Sequence, residues 1–95
     1  MTSRKIECAS QDVRTEVGEA YSLVYEIVVD EFELFGSVIE TYGVAIHMVG
    51  AGRERSREIH AITVKDDEIE RIVSLLSRGT VFPDDLEETL ENILI

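Results

Sequence analysis

The chain has 95 residues, of which 20 are acidic and nine are basic, so its formal net charge at pH 7 is −11. A chain of this length buries one modest hydrophobic core and has no room for a second. Because a strongly negative protein repels phosphate backbones, we expect no direct nucleic-acid binding. The acidic surface has two remaining interpretations, which are solubility alone or contact with a partner that carries a basic surface.

The number of cysteines and the hydropathy of the sequence indicate where in the cell the protein is expected. Cys8 is the only cysteine, so an intramolecular disulfide is impossible and a reducing cytoplasm is the expected location. No segment approaches the roughly 20 apolar residues that a membrane-spanning helix needs, and the N-terminus lacks a signal-peptide pattern. We therefore expect a cytoplasmic protein that does not enter the membrane.

The first 19 residues differ in pattern from the rest of the chain. Their large aliphatic residues are Ile6, Val13 and Val17, and these show no sustained period of 2 or 3.6. We interpret residues 1–19 as a flexible N-terminal arm. Residues 20–95 then form a single α+β domain.

Alternating apolar residues predict three strands, over residues 20–30, 37–49 and 57–64. An acidic turn at 31–35, which carries two exposed or half-exposed phenylalanines, connects the first two strands. A charged loop at 50–56, with two glycines, connects the second and third strands. The three strands are expected to form an antiparallel meander.

The apolar pattern also predicts how the strands pair. A hairpin centred near residue 33 places Tyr25 opposite Tyr42, and the next hairpin places Val49 opposite Glu58. Gly43, inside a strand, indicates a bulge, a bend or a close approach of another group. Both faces of this sheet carry apolar residues, so both require a cover.

Two helices follow the strands. Residues 65–79 combine an acidic first turn with one apolar stripe and a terminal glycine, and a second, acidic amphipathic helix begins at Pro83. The predicted fold class is therefore α+β, with a three-stranded antiparallel β-meander followed by two α-helices packed on one sheet face.

Two groups of residues are candidate sites. In the predicted register His47 and His60 face each other, a spacing that allows a shared metal ion, although two ligands do not complete a site. Arg53, Arg55 and Arg57 concentrate a third of the basic residues within five positions at the hairpin tip and are candidate partner-binding residues. Their partner would be an acidic patch, the acidic helix of a neighbouring subunit, or a phosphorylated ligand. The alternatives are polar residues at a sheet face and a solvated loop.

Four short segments carry a resemblance: Tyr42-Gly43-Val44, residues 59–67, the helix with Ile72, Val73 and Leu76, and residues 81–86. Together they resemble a family of small proteins of unknown function from Firmicutes, chiefly Clostridia. The resemblance covers roughly residues 20–94 and implies a bacterial cytoplasmic origin. It brings no established activity or catalytic residue.

The chain contains no P-loop, dinucleotide fingerprint, nucleophile elbow or zinc motif, so we expect no enzyme and no cofactor. The leading hypothesis is a non-enzymatic interaction or regulatory module that self-associates as a homodimer. One alternative is a protein that binds a small molecule or metal in a pocket between sheet and helices, lined by Tyr21, Tyr25, Tyr42 and the histidines. Another is an acidic regulator that sequesters a basic, nucleic-acid-binding protein.

Overall fold

The structure is a computed structural model that describes residues 2–94. Four antiparallel strands form one sheet in chain order: β1 (Thr2–Arg14), β2 (Ala20–Leu34), β3 (Ser37–Gly50) and β4 (Arg53–Thr63). The α+β class is confirmed. The predicted number of three strands is wrong, because residues 2–14, assigned to an arm, form a fourth strand at the sheet edge.

A bulge in β1 explains why its sequence does not read as a strand. The pairing with β2 shifts between Glu7 and Ala9. Because side chains alternate between faces, the extra residue changes which positions point at the core. Ile6, at an even position before the bulge, and Ala9 and Val13, at odd positions after it, therefore lie on the same side of the sheet. This shift of parity removes the period of 2.

Two-residue turns connect β2 to β3 and β3 to β4. The turn residues are Phe35 and Gly36, with φ of 51° and 78°, and Ala51 and Gly52, with φ of 51° and 72°. Positive φ at both positions is the pattern of a type I′ turn, which matches the twist of the flanking strands. The segments that we predicted as longer connections are therefore mostly strand.

The shorter turns change both predicted registers. Tyr25 lies opposite Ile46 and not Tyr42, and Val49 lies opposite Glu54 and not Glu58. Each shift is four residues, and an even shift leaves every side chain on its predicted face. The assignment of faces is therefore correct in these pairings, although the individual pairs are wrong.

The helices are α1 (Asp66–Arg78), a 3-10 helix (Pro83–Asp85) and α2 (Leu86–Leu94). The carboxylates of Asp66 and Asp67 accept the next N–H in α1 at 2.8 and 3.0 Å, and the Gly79 N–H donates to the last turn. Met1 and Ile95, which belong to the predicted arm and second helix, lie outside the described residues. Within residues 2–94, no helix has the length and hydropathy to cross a membrane.

Both helices cover the same face of the sheet, which we call the inner face. Odd residues of β2, even residues of β3, the apolar stripe of α1 and two leucines of the C-terminal segment share one core. The fully buried members include Leu23, Tyr25, Ile46, Ile72, Leu76 and Leu86. The opposite face, which we call the outer face, has no helix on it among the described elements.

Candidate functional site

The end of the β2–β3 hairpin extends beyond the rest of the sheet. Pairing of β1 with β2 ends at Thr2 opposite Glu31, and pairing of β4 with β3 ends at Thr63 opposite Tyr42. Among the described strands, none flanks residues 32–39, which we call the hairpin ribbon. The core of the β2 strand also ends before this segment. The ribbon therefore projects from one end of a molecule whose longest dimension is 54 Å.

Large apolar side chains are exposed at the tip of the hairpin ribbon. Phe35 is 98% exposed, Val38 65% and Leu34 46%. Isolated exposed apolar residues are common, but here Leu34 points to the outer face and Val38 to the inner face, so an exposed apolar side chain lies on either side of Phe35. The sequence predicted a turn over 31–35 with both phenylalanines exposed or half-exposed, whereas the structure places a half-buried Phe32 in β2 and only Phe35 in the turn. The sequence gave no indication that they stand on a projecting two-stranded element.

The backbone of Phe35 is strained. Its φ of 51° lies in the left-handed region, which costs a bulky residue roughly 1–2 kcal/mol. Asn or Gly is the usual residue at this position of a type I′ turn. Since the exposed ring gains almost nothing from burial in the chain itself, the phenylalanine is not explained by stability. Ala51, Ala61 and Thr80 also have positive φ, so the feature that distinguishes Phe35 is the combination of this backbone with a fully exposed aromatic ring.

The hairpin ribbon lies within a strongly acidic stretch. No lysine or arginine occurs between Arg14 and Arg53. At the base of the ribbon, Glu31 and Glu40 are direct cross-strand partners, an arrangement in which like charges repel. Arg4 of β1 reaches Glu40 at 3.2 Å. Within residues 2–94, Glu31 and Glu33 form no ion pair.

Two of the three arginines that we predicted as partner-binding residues form ion pairs within their own chain. Arg55 Nη1 lies 2.6 Å from the Asp84 carboxylate, and Arg57 Nη2 lies 2.5 Å from Glu87. These arginines alternate along β4 toward the inner face, where the acidic C-terminal segment packs. Arg53, at the end of the strand, forms no ion pair with the described part of the chain. The structure thus places two of the three arginines against the acidic C-terminal segment of the same chain.

The two histidines do not face each other, so that prediction is wrong. His47 lies opposite Ser56, and its ring contacts the Ser56 hydroxyl at 2.7 Å and the Glu26 carboxylate. His60 lies in an irregular part of β4 and contacts Asp30 at 2.6 Å and Glu58 at 2.9 Å. Both ring nitrogens of each histidine are therefore engaged. The described residues contain no group of three His, Cys, Asp or Glu arranged to hold a metal ion.

Gly43 lies against a bulged segment of β4 that includes His60. The β3–β4 pairing is irregular between Tyr42 and Val44, and a Cβ on Gly43 would lie 2.0 Å from the Ile59 carbonyl oxygen. The predicted bulge or close approach at Gly43 is confirmed. Ala61, in the bulged segment, has a φ of 55°. His60 lies within this bulged segment, and its ring contacts Asp30 on the outer face.

Charged side chains form a network on the outer face. Lys5 Nζ lies 2.6 Å from Glu58, which also contacts His60. Hydrogen bonds to Asp30 and then to Glu58 raise the pKa of His60, while His60 lowers the pKa of Asp30, with Ser3 as a second donor. The hydrogen bond from Lys5 lowers the pKa of Glu58. Each ionised group is thus held in its charged form by a neighbour of opposite charge.

This network covers the second apolar face that the sequence predicted. Val28 is 0% exposed and Ala45 1% exposed, although both point away from the helices. Lys5 is the cross-strand neighbour of Val28, and Glu58 is that of Ala45. The aliphatic stems of long charged residues shield apolar surface while their charged ends stay in water. The outer face is therefore closed in part by the chain's own side chains.

The predicted pocket of tyrosines and histidines does not form, because the two groups lie on opposite faces. Tyr25 fills the inner core, and its hydroxyl donates to the Val81 carbonyl at 3.0 Å. A separate cleft of about 420 Å³ lies between β1 and α1 and includes Cys8 and Arg78 in its lining. Burial raises the pKa of the Cys8 thiol, which disfavours the reactive thiolate.

Comparison with known proteins places the chain in a family. Neither the curated proteins nor the solved structures contain a match to it. One family model matches residues 4–95, which is nearly the whole length and includes all of β2 to α2. On that match, the chain belongs to the family described as "Family of unknown function (DUF6514)".

Proposed function

We propose that this protein is a non-enzymatic interaction module of the cytoplasm that binds a partner protein through its hairpin ribbon. The observation that carries the proposal is Phe35, a fully exposed aromatic residue held in a strained conformation at the tip of a projecting element. The rest of the fold serves as a rigid base, because β2 and β3 continue from the ribbon directly into the buried core.

The chemistry of the tip suits insertion into a pocket. Burying a phenylalanine side chain contributes about 1.5–3 kcal/mol, and aromatic residues often dominate the energy of an interface. Leu34 and Val38 lie on opposite faces of the ribbon, so a pocket that takes up Phe35 would contact one of them on each side of the tip. The two-residue turn limits the conformational entropy that the ribbon loses on binding.

The test uses two variants with the same backbone effect at different turns. Phe35→Asn and Ala51→Asn each place a favoured residue at the first position of a type I′ turn, but only Phe35→Asn removes the aromatic tip. Tagged wild-type and variant proteins are expressed in the native host, and co-purifying proteins are identified. Each candidate is then purified and its affinity for the three proteins is measured.

We expect the purified partner to bind wild-type and Ala51→Asn proteins equally and to bind Phe35→Asn at least about tenfold more weakly. Equal affinity for Phe35→Asn would refute the proposal. Sedimentation of the wild-type protein alone tests the homodimer. A dimer that Phe35→Asn dissociates would assign the tip to self-association and would contradict a separate partner.

A further inference from the structure

We infer that the partner of the hairpin ribbon presents an apolar pocket with a rim of lysine or arginine side chains. This inference rests on the proposed function and specifies the chemistry of the surface that the ribbon binds. It follows from the acidic residues that surround the tip and from the absence of basic residues in the sequence of the hairpin.

The ribbon has an exposed apolar tip, and its base is acidic. Neither property stabilises the isolated chain. The tip is apolar, with Phe35, Leu34 and Val38 exposed, and the residues behind it include Glu31, Glu33 and Glu40. The whole segment between Arg14 and Arg53 lacks lysine and arginine. A partner that buries the tip must bring its own surface close to these carboxylates.

The like-charged pair strengthens this argument. Glu31 and Glu40 face each other across β2 and β3, where opposite charges would stabilise the hairpin and like charges destabilise it. Arg4 offsets only one member, since it contacts Glu40 at 3.2 Å. Basic residues on a partner would relieve the repulsion on binding. They would also accelerate association, because complementary charge steers the encounter between two proteins.

The glutamates near the tip also disfavour binding of the ribbon to an anionic membrane. Exposed aromatic and aliphatic residues at a loop tip also suit insertion into lipid, but the glutamates would be repelled by an anionic bilayer surface. A protein pocket with a basic rim satisfies both the apolar tip and the acidic base. Vesicles of phosphatidylglycerol provide the corresponding test of the lipid alternative.

The experiment compares two double variants. Each removes two negative charges, but one does so at the ribbon and its base and the other on α2. Glu31→Gln/Glu33→Gln neutralises the base of the ribbon, whereas Glu88→Gln/Glu91→Gln neutralises exposed positions on α2. Association with the purified partner is measured from about 50 to 500 mM salt, since screening weakens exposed charge pairs. We expect the ribbon variant to associate about fivefold more slowly at low salt and to show a smaller salt dependence.

The α2 variant should stay within about twofold of the wild type at every salt concentration. If the ribbon variant also keeps the wild-type rate and salt dependence, the inference is wrong. In that case a loss of binding by Phe35→Asn would leave the proposed function intact. Binding of the wild-type protein to phosphatidylglycerol vesicles, lost in Phe35→Asn, would overturn the inference in favour of lipid.

Discussion

Lys5 and Glu58 form an ion pair across the outer face, with Nζ 2.6 Å from Oε2, although they lie on the two opposite edge strands of the sheet. Val28 lies beside Lys5 and Ala45 beside Glu58, and both are buried beneath the charged network. The pair therefore has two separable effects. Its charges attract each other, and the aliphatic stem of Lys5 shields apolar surface.

Substitution of Lys5 separates these effects. Lys5→Met keeps an apolar stem and should lower the free energy of unfolding by at most about 1 kcal/mol, as expected for a pair near the surface. Lys5→Ser also uncovers Val28 and should cost about 1 kcal/mol more. Urea unfolding measures both. Equal losses in the two variants would show that the stem contributes nothing.

The charge of His60 should make stability depend on pH. Because Asp30 and Glu58 raise its pKa above 6.5, the contribution of His60 is complete below that pH and is lost as the pH rises through its folded value. The lowered pKa values of Asp30 and Glu58 act in the opposite direction: their contribution is present above the ordinary values of 3.8 and 4.5 and is lost on acidification. The network is therefore strongest between about pH 5 and 6.5.

His60→Gln tests this dependence. The difference in unfolding free energy between wild type and His60→Gln should be largest near pH 5.5 and should shrink toward about pH 8.5. Lys5→Met serves as the control, because Lys5 does not titrate in this range. Its difference from the wild type should change less than that of His60→Gln. If the difference in unfolding free energy between the wild type and His60→Gln does not change with pH, the charge of His60 does not contribute to stability.

Gly43 and Gly52 should respond differently to alanine. A Cβ at Gly43 meets the Ile59 carbonyl oxygen at 2.0 Å, so Gly43→Ala must displace β4 and should cost at least about 2 kcal/mol. Gly52 has open space around it but a positive φ, so Gly52→Ala should cost only about 1 kcal/mol. Thermal and urea unfolding compare the two. A loss at Gly43 no larger than that at Gly52 would mean that the bulge adapts easily.

Phe35→Asn should stabilise the isolated protein. It relieves the positive φ of Phe35 and gives up almost no burial, so we expect a gain of about 0.5–1 kcal/mol in unfolding free energy. Ala51→Asn should give a similar gain. A loss of stability in Phe35→Asn alone would show that the ring supports the fold. Stabilisation combined with lost binding would be the usual trade between function and stability.

The ion pairs of β4 should stabilise the C-terminal segment modestly. Arg55→Ala combined with Arg57→Ala removes the contacts to Asp84 and Glu87 and should cost about 0.5–1 kcal/mol, because all four groups are largely exposed. Arg53→Ala should be neutral. Urea unfolding at low and high salt provides the measurement, and the loss should diminish at high salt. A salt-independent loss would point to packing of the arginine stems.

Regular patterns in the sequence predict much of this fold. The core strands and α1 follow from apolar alternation, a stripe of helical period and an acidic first turn. The strand β1 was missed because its bulge at residues 7–9 reverses the alternation. The start of β4 was missed because its alternating charges read as a loop. The alternation of charged residues is itself a strand pattern. Arg55 and Arg57 point to the inner face, and Glu54 and Ser56 point to the outer face.

The candidate site was less predictable, for physical reasons. The exposure of Phe35 depends on where neighbouring strands end, and that information is distributed over β1, β3 and β4. His60 lies in a bulged segment of β4, and the presence of Gly43 does not specify the size of that bulge or the register that follows it. The partners of the arginines depend on how the C-terminal segment packs. Local patterns identified these residues as unusual but did not determine what each one contacts.

The agreement between strand order and chain order has a consequence for folding kinetics. Every strand pairs with its neighbour in the sequence, and two of the three connections are two-residue turns. Each hairpin can therefore close locally, with little loop-closure entropy to lose, before the next one adds to it. The helices follow the strands in the chain and pack on the inner face that the strands form. The protein needs no long-range crossover at any stage.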